Sequence, residues 1–292
     1  VLAGRLLGIP VKGTHAHSWV MSFGDELASF QAYAEAMPNN CVFLVDTYDT
    51  IEGVRHAIEV GKRIRQSGHR MVGIRLDSGD LAALSIQSRR LLDEAGFEDA
   101  MIVASNDLDE HMIQELKRKG SRIAIWGVGT NLVTARDQPA LGGVYKLAAI
   151  EDDQGNLQPR IKLSELPIKT STPGIQQIRR YFDDHHMIGD TIYSELTGPP
   201  DSASSISFSG DGVLDFSRAS RHEDLLQPIL RGGQPVSVLP SLEDTRQHAD
   251  RQRSLIPAAS RLIRGGDPYP VGLERRLSRQ KQRMIDRRSA AS

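Results

Sequence analysis

From Cys41 to Asp77 the chain reads CVFLVDTYDTIEGVRHAIEVGKRIRQSGHRMVGIRLD. CVFLVD is a short continuous apolar run, which suits a strand buried on both faces. Asp49-Thr50 opens a helical pattern, TIEGVRHAIEVGKRIRQ, that Gly68 ends, and MVGIRLD is the next strand. Downstream the rhythm repeats. Ser78 to Ala95 is a helix stopped by Gly96, with Asp77 or Ser78 as its cap, and AMIVAS is a strand. LDEHMIQELKRKG is a helix, RIAIWG a strand and GVYKLAAI one more. Upstream, WVMSFGDELASFQAYAEAM predicts one helix that Pro38 and Asn39 terminate.

Buried strands recur every ~25 to 30 residues with helices between them, the pattern of parallel βα units. A doubly wound sheet and a (β/α) barrel share that pattern. Nearly every strand here ends in polar residues: Asp46, Arg75 and Asp77, Ser105 to Asp107, Gly127 to Thr130. A barrel gathers all its strand ends at one mouth, whereas a doubly wound sheet uses those near its switch point. The barrel is the expected fold. Past residue 150 the rhythm stops. EDDQGNLQPR reads as a hairpin turn, a serine-rich patch runs through TGPPDSASSISFSGDG, and LERRLSRQKQRMIDRR is a basic helical tail with Leu273, Leu277 and Met284 or Ile285 on its buried side. Residues 1–150 are therefore expected to be part of the barrel with the catalytic loops, and residues 151–292 a portion of a second α/β domain.

Composition narrows the function classes. A net charge of −1 gives no electrostatic case for nucleic acid or an anionic membrane. No apolar stretch approaches the roughly 20 residues that cross a bilayer. One cysteine, Cys41, leaves no internal disulfide and fits a reducing compartment, so cytoplasm is expected. The chain starts at Val1, and LAGRLLGIP reads as the end of a helix entering a loop, so the fold is expected to be incomplete at its N-terminus.

GTHAHS, Gly13 to Ser18, holds two histidines at i and i+2. On a strand they would share a face and could begin a zinc site. The later ligands are missing, because His56, His69, His111, His185, His186, His222 and His248 fall in predicted helices or beyond the barrel. In RLDSGD, Arg75 presents a planar fork suited to a carboxylate or phosphate. Asp77 and Asp80 can accept from sugar hydroxyls or ligate magnesium. GVGT, Gly127 to Thr130, follows a strand and can bring backbone N–H groups to an anion.

In this order GTHAHSWVMSF, DTYDT, GIRLDSGDL, SNDLDE, WGVGTNLVT, GVYKLA and KTSTPG resemble nicotinate phosphoribosyltransferase over most of the first 180 residues. The resemblance implies transfer of a phosphoribosyl group from phosphoribosyl pyrophosphate to nicotinate, giving nicotinate mononucleotide and pyrophosphate with ATP hydrolysis, in NAD salvage. It implies an irregular (β/α) barrel of the type II phosphoribosyltransferase kind with a second, smaller α/β domain, a homodimer, Mg2+ as cofactor and ATP as co-substrate. Nicotinate, phosphoribosyl pyrophosphate and ATP are the implied partners, with no nucleic acid and no membrane. Residue by residue, it makes His17 the phosphorylated histidine and leaves His15 at a variable position. It puts Thr14 near the nicotinate, Arg75 on the nicotinate carboxylate, and Gly129 and Thr130 at the 5′-phosphate. Asp77 and Asp80 are expected at ribose or magnesium, with Asp46, Lys146 and Asn106 as further candidates and no dedicated metal-ligand set. Three alternatives remain: a metal-dependent barrel hydrolase using His15 and His17, a nicotinamide-using phosphoribosyltransferase, and a remnant that binds without catalysing.

Overall fold

In the computed structural model the described residues are 1–166, 169–208, 212–262 and 265–289. The chain divides into two compact units, Val1–Gly142 and Gly143–Ser292, so the second is not the smaller within this chain.

The first unit opens with α1 (Leu2–Leu7), ended by Gly8 at φ 70°. Two helices follow, α2 (His17–Met21) and α3 (Glu26–Ala36), where the sequence pattern predicts one. The break comes from Asp25, whose carboxylate accepts from the Ala28 N–H at 2.8 Å and starts a new helix. Then the strand–helix alternation runs as expected: β1 (Cys41–Leu44), α4 (Thr50–Gln66), β2 (Met71–Leu76), α5 (Leu81–Glu94), β3 (Met101–Ala104), α6 (Glu110–Arg118), β4 (Ile125–Trp126) and α7 (Thr130–Val133). Asp49 and Asp109 cap α4 and α6. The cap of α5 is Asp80, not Asp77 or Ser78, and it accepts from the Ala82 and Ala83 N–H groups at 3.1 Å each.

All four strands are parallel, in the order β1-β2-β3-β4. A doubly wound sheet reverses its order at a switch point, and this one does not. Neither does it close. Among the described residues β1 and β4 are edge strands, no closed barrel is formed, and GVYKLAAI adds no fifth parallel strand. Val144, Tyr145 and Leu147 lie exposed. The core lies between sheet and helices, where Phe30, Phe43, Phe97, Met71, Ile74, Leu76, Leu92 and Ile102 are fully buried. Phe30 and Phe43 pack with ring centroids 4.9 Å apart.

The second unit begins with the hairpin β5 (Ala149–Glu151) and β6 (Leu157–Pro159), with Gly155 at φ 81° in its turn. Its main sheet has six strands: β7 (Gln176–Phe182), β8 (Met187–Ser194), β9 (Ser204–Ser207), β10 (Val213–Asp215), β11 (Arg221–Asp224) and β14 (Val271–Leu273). Between β11 and β14 come a small ribbon, β12 (Leu230–Arg231) with β13 (Gln234–Pro235), and α8 (Leu242–Leu255). The basic tail is α9 (Arg275–Ser289). Leu277 is buried on it, while Leu273 is buried in β14 ahead of the helix. Ser209, at the end of the serine-rich stretch, lies outside the described residues.

Gly53, in the first turn of α4, sits against the end of β1. A Cβ there would stand 2.1 Å from the Val45 carbonyl oxygen. Alanine is otherwise the better helix former by about 1 kcal/mol. Gly53→Ala is nonetheless expected to destabilise the first unit by about 1–3 kcal/mol, because backbone must move to admit the methyl. Denaturant titration checks the sign: a rise in stability would show that α4 does not approach β1 this closely.

Candidate active site

Parallel pairing brings the carboxyl ends of all four strands to one edge. Asp46 follows β1, Asp77 follows β2, Ser105 follows β3, and Gly127–Thr130 follow β4. The first three interlock. Asp46 Oδ2 accepts from the Asp77 N–H at 2.8 Å and from the Ser78 hydroxyl at 2.7 Å. Ser105 donates its hydroxyl to Asp77 Oδ1. Asp46 Oδ1 is buried without a partner among the described residues.

His17 is the first residue of α2, and it reaches this edge. Its Nδ1 lies 3.0 Å from Thr47 Oγ1, and its Nε2 lies 3.6 Å from Asp77 Oδ2. The ring keeps 38% of its side-chain surface exposed and Asp77 34%, so small reactants can reach both. Thr14 sits beside Arg75. Arg75 Nη1 donates to Thr14 Oγ1 at 2.7 Å, and the Thr14 hydroxyl donates to the His15 carbonyl at 3.0 Å. Arg75 Nε is buried and has no partner among the described residues. Leaving a buried cationic N–H unmet is costly, and a carboxylate or a phosphate offers two oxygens that match Nε and Nη together.

His15 has the opposite environment. It is 7% exposed, with its ring 4.8 Å from that of Tyr33 and 5.7 Å from that of Phe30. Its Nε2 accepts from the Leu44 N–H at 3.1 Å, which uses the lone pair a metal would need. Burial pushes its pKa down from 6.5 to about 4, despite an opposing hydrogen bond at Ala16. The two histidines therefore do not form a metal pair, and the hydrolase alternative loses its starting residues.

His17 thus meets Asp77, Asp77 meets Asp46, and Thr14 meets Arg75. Asp80 does not join them, since its Oδ1 caps α5. Gly129 and Thr130 start α7 on the same edge of the sheet, in the loop after β4. Asn106 is exposed, with φ 92°. Lys146 belongs to the second unit, where it donates to the Lys169 carbonyl at 3.0 Å. Sequence reasoning missed Thr47 as the partner of His17. Its only signal is its position directly after the strand-end acid Asp46.

Known proteins resemble this chain along most of its length. The family model described as nicotinate phosphoribosyltransferase C-terminal domain matches residues 175–281. The nicotinate phosphoribosyltransferase of Bacillus subtilis is 44% identical over 280 residues, covering 94% of this chain and 56% of the relative. The human one is 31% identical, covering 95% of this chain and 61% of the relative. The crystal structure of human nicotinic acid phosphoribosyltransferase superposes with a TM-score of 0.75 at 27% identity, covering 96% of this chain and 63% of that one. A nicotinate-nucleotide pyrophosphorylase from Pyrococcus furiosus shares the fold, with a TM-score of 0.59 at 18% identity. The class is thus an α/β fold with a parallel sheet of the kind found in these structures. Within that class the chain belongs to the nicotinate phosphoribosyltransferase family. It spans somewhat over half the length of the curated relatives it matches.

His15 yields a prediction. Its folded pKa lies below its unfolded one, so the unfolded chain binds the extra proton first. Its neutral form costs no stability above about pH 6.5, and stability falls as pH drops from there toward about 4. Between pH 7 and pH 5 this amounts to about 2 kcal/mol. His15→Gln keeps an acceptor for Leu44 N–H without titrating. Denaturation midpoints of parent and variant should diverge in that window, with the variant flatter. Parallel curves would place His15 in solvent.

Proposed function

We propose that the protein containing this chain transfers the phosphoribosyl group of phosphoribosyl pyrophosphate to nicotinate, forming nicotinate mononucleotide and pyrophosphate in NAD salvage, and couples this to ATP hydrolysis through a phosphohistidine at His17. The observation that carries the reading is the unmet, buried Nε of Arg75 beside the Thr14 hydroxyl.

In this reading nicotinate lays its carboxylate on Arg75 Nε and Nη, with Thr14 fixing the guanidinium plane. The pyridine nitrogen attacks the anomeric carbon as the bond to pyrophosphate breaks. Asp46 and Asp77 supply negative charge near the cationic ribosyl centre, and Asp77 accepts from ribose hydroxyls. Gly129 and Thr130 receive the 5′-phosphate through backbone N–H groups. Magnesium bound here would supply neutralisation of the leaving pyrophosphate's charge. Asp46 Oδ1, buried and without a partner, and the Asp77 carboxylate are the oxygens that fit it.

For the ATP step, a neutral imidazole needs one protonated and one free nitrogen. The ring nitrogen without a proton attacks the γ-phosphorus while the bond to ADP breaks. Water later cleaves the N–P bond. Thr47 steadies the ring.

The four strands read as an arc of an irregular (β/α) barrel whose other strands come from elsewhere in the protein. One-way strand order and two open edges support this, as does the human structure, of which the chain covers 63%. Gly143–Ser292 would then contribute to the second α/β domain. A homodimer in the cytoplasm is part of the same reading, and no helix among the described residues is long and apolar enough to cross a membrane.

The test is formation of nicotinate mononucleotide by the full gene product from nicotinate, phosphoribosyl pyrophosphate and Mg2+. Arg75→Lys keeps the charge but loses the fork. It is expected to raise KM for nicotinate by at least about tenfold with a smaller change in kcat. Equal loss of nicotinate and nicotinamide turnover would contradict the carboxylate role. No product with any pyridine base would overturn the proposed function.

A further inference from the structure

His111 differs from the other histidines of the first unit. His15, His17, His56 and His69 each commit a ring nitrogen to a hydrogen bond: with Leu44 N–H, Thr47, Glu26 and Asn39 respectively. His111 commits neither. Its Nδ1 is buried without a partner among the described residues, and its Nε2 stands 3.9 Å from Asp137 Oδ2, beyond hydrogen-bond reach. Glu110, its neighbour in the first turn of α6, completes a group whose ligand atoms all lie within 4.8 Å of one another.

We propose that Glu110, His111 and Asp137 form a site for a divalent transition metal of the zinc type, separate from the His17 cluster. The donor set is one imidazole and two carboxylates. An imidazole selects borderline metals such as zinc or cobalt over magnesium and calcium, which take oxygen ligands. Zinc bonds of ~2.0–2.2 Å require the three ligand atoms to draw in by about an ångström. The exposed Asp137 side chain, at 76%, can supply that by rotation. Charge favours the cation too. Asp109, Glu110 and Asp137 offset the partial positive charge of the α6 N-terminus, and Arg136 is turned to Asn131 at 3.1 Å.

The site has room for further ligands. A cavity of about 810 Å³ opens beside it, lined by Asp109, Glu110, Val128, Asn131, Arg136 and Asp137. Three protein ligands leave at least one position for water or another donor from that space. The metal would also tie two parts of the chain together. Asp137 lies just beyond α7, the helix that Gly129 and Thr130 begin, while Glu110 and His111 belong to α6. Bound metal therefore fastens the segment after α7 to α6.

The experiment titrates chelator-treated protein with Co2+, read by visible absorption, and with Zn2+, read by calorimetry. The expected result is about one equivalent bound, Zn2+ displacing Co2+, and excess Mg2+ displacing neither. His111→Ala and Asp137→Asn should each weaken binding by about tenfold or more. Asp137 is exposed on a loop, so the second variant tests the site without threatening the fold. Affinity unchanged in both variants, no stoichiometric binding, or loss of binding in His17→Ala in place of His111→Ala would each overturn the proposal.

Discussion

Parallel strands must all end on the same edge of their sheet, and this constraint organises the first unit. Each βα connection leaves that edge with a polar residue at its start. Three such residues, Asp46, Asp77 and Ser105, lie on neighbouring strands and therefore within hydrogen-bond reach of one another. Asp46 performs two tasks: it satisfies the Asp77 N–H and the Ser78 hydroxyl, and it keeps one oxygen buried and unmet. Such an oxygen is costly to maintain in a protein that only has to fold. The same holds for Arg75 Nε, on the strand between.

Burial then separates two histidines that the sequence presents as a pair. His15 is enclosed by Phe30 and Tyr33 and held by a backbone N–H of β1, so it serves as an acceptor inside the core. His17, two residues on, begins α2 and faces Thr47 and Asp77. Had Gly13 to Ser18 formed a strand, both rings would lie on one face. Because the chain turns into a helix at His17, they part, and only one remains available for chemistry.

Much of this was legible in the sequence. The strands CVFL, MVGIRL and MIVA and the helix Thr50–Gln66 follow from apolar runs, acidic caps and a terminal glycine, all local signals. Local signals also misled. Ser22 to Asp25 continued a helical pattern that the Asp25 cap interrupts. GVYKLAAI has the composition of a strand, but pairing needs a neighbour, and only Ala149–Glu151 finds one, in the second unit. At the site, His17, Thr14, Arg75 and Asp77 were named from the motifs, and the structure pairs His17 with Asp77 and Thr14 with Arg75. Thr47 and the linking role of Asp46 were not foreseen, because contacts across some thirty residues depend on strand register, which no single segment encodes.

The most direct test of the central claim, that His17 is the group left free to take a phosphoryl from ATP, is labelling of the full gene product with γ-labelled ATP. After an alkaline quench the protein should carry acid-labile, base-stable label, and His17→Ala should carry none. Label that persists in His17→Ala, or ATP-stimulated product formation with no acid-labile phosphoprotein at any point of the time course, would contradict the account.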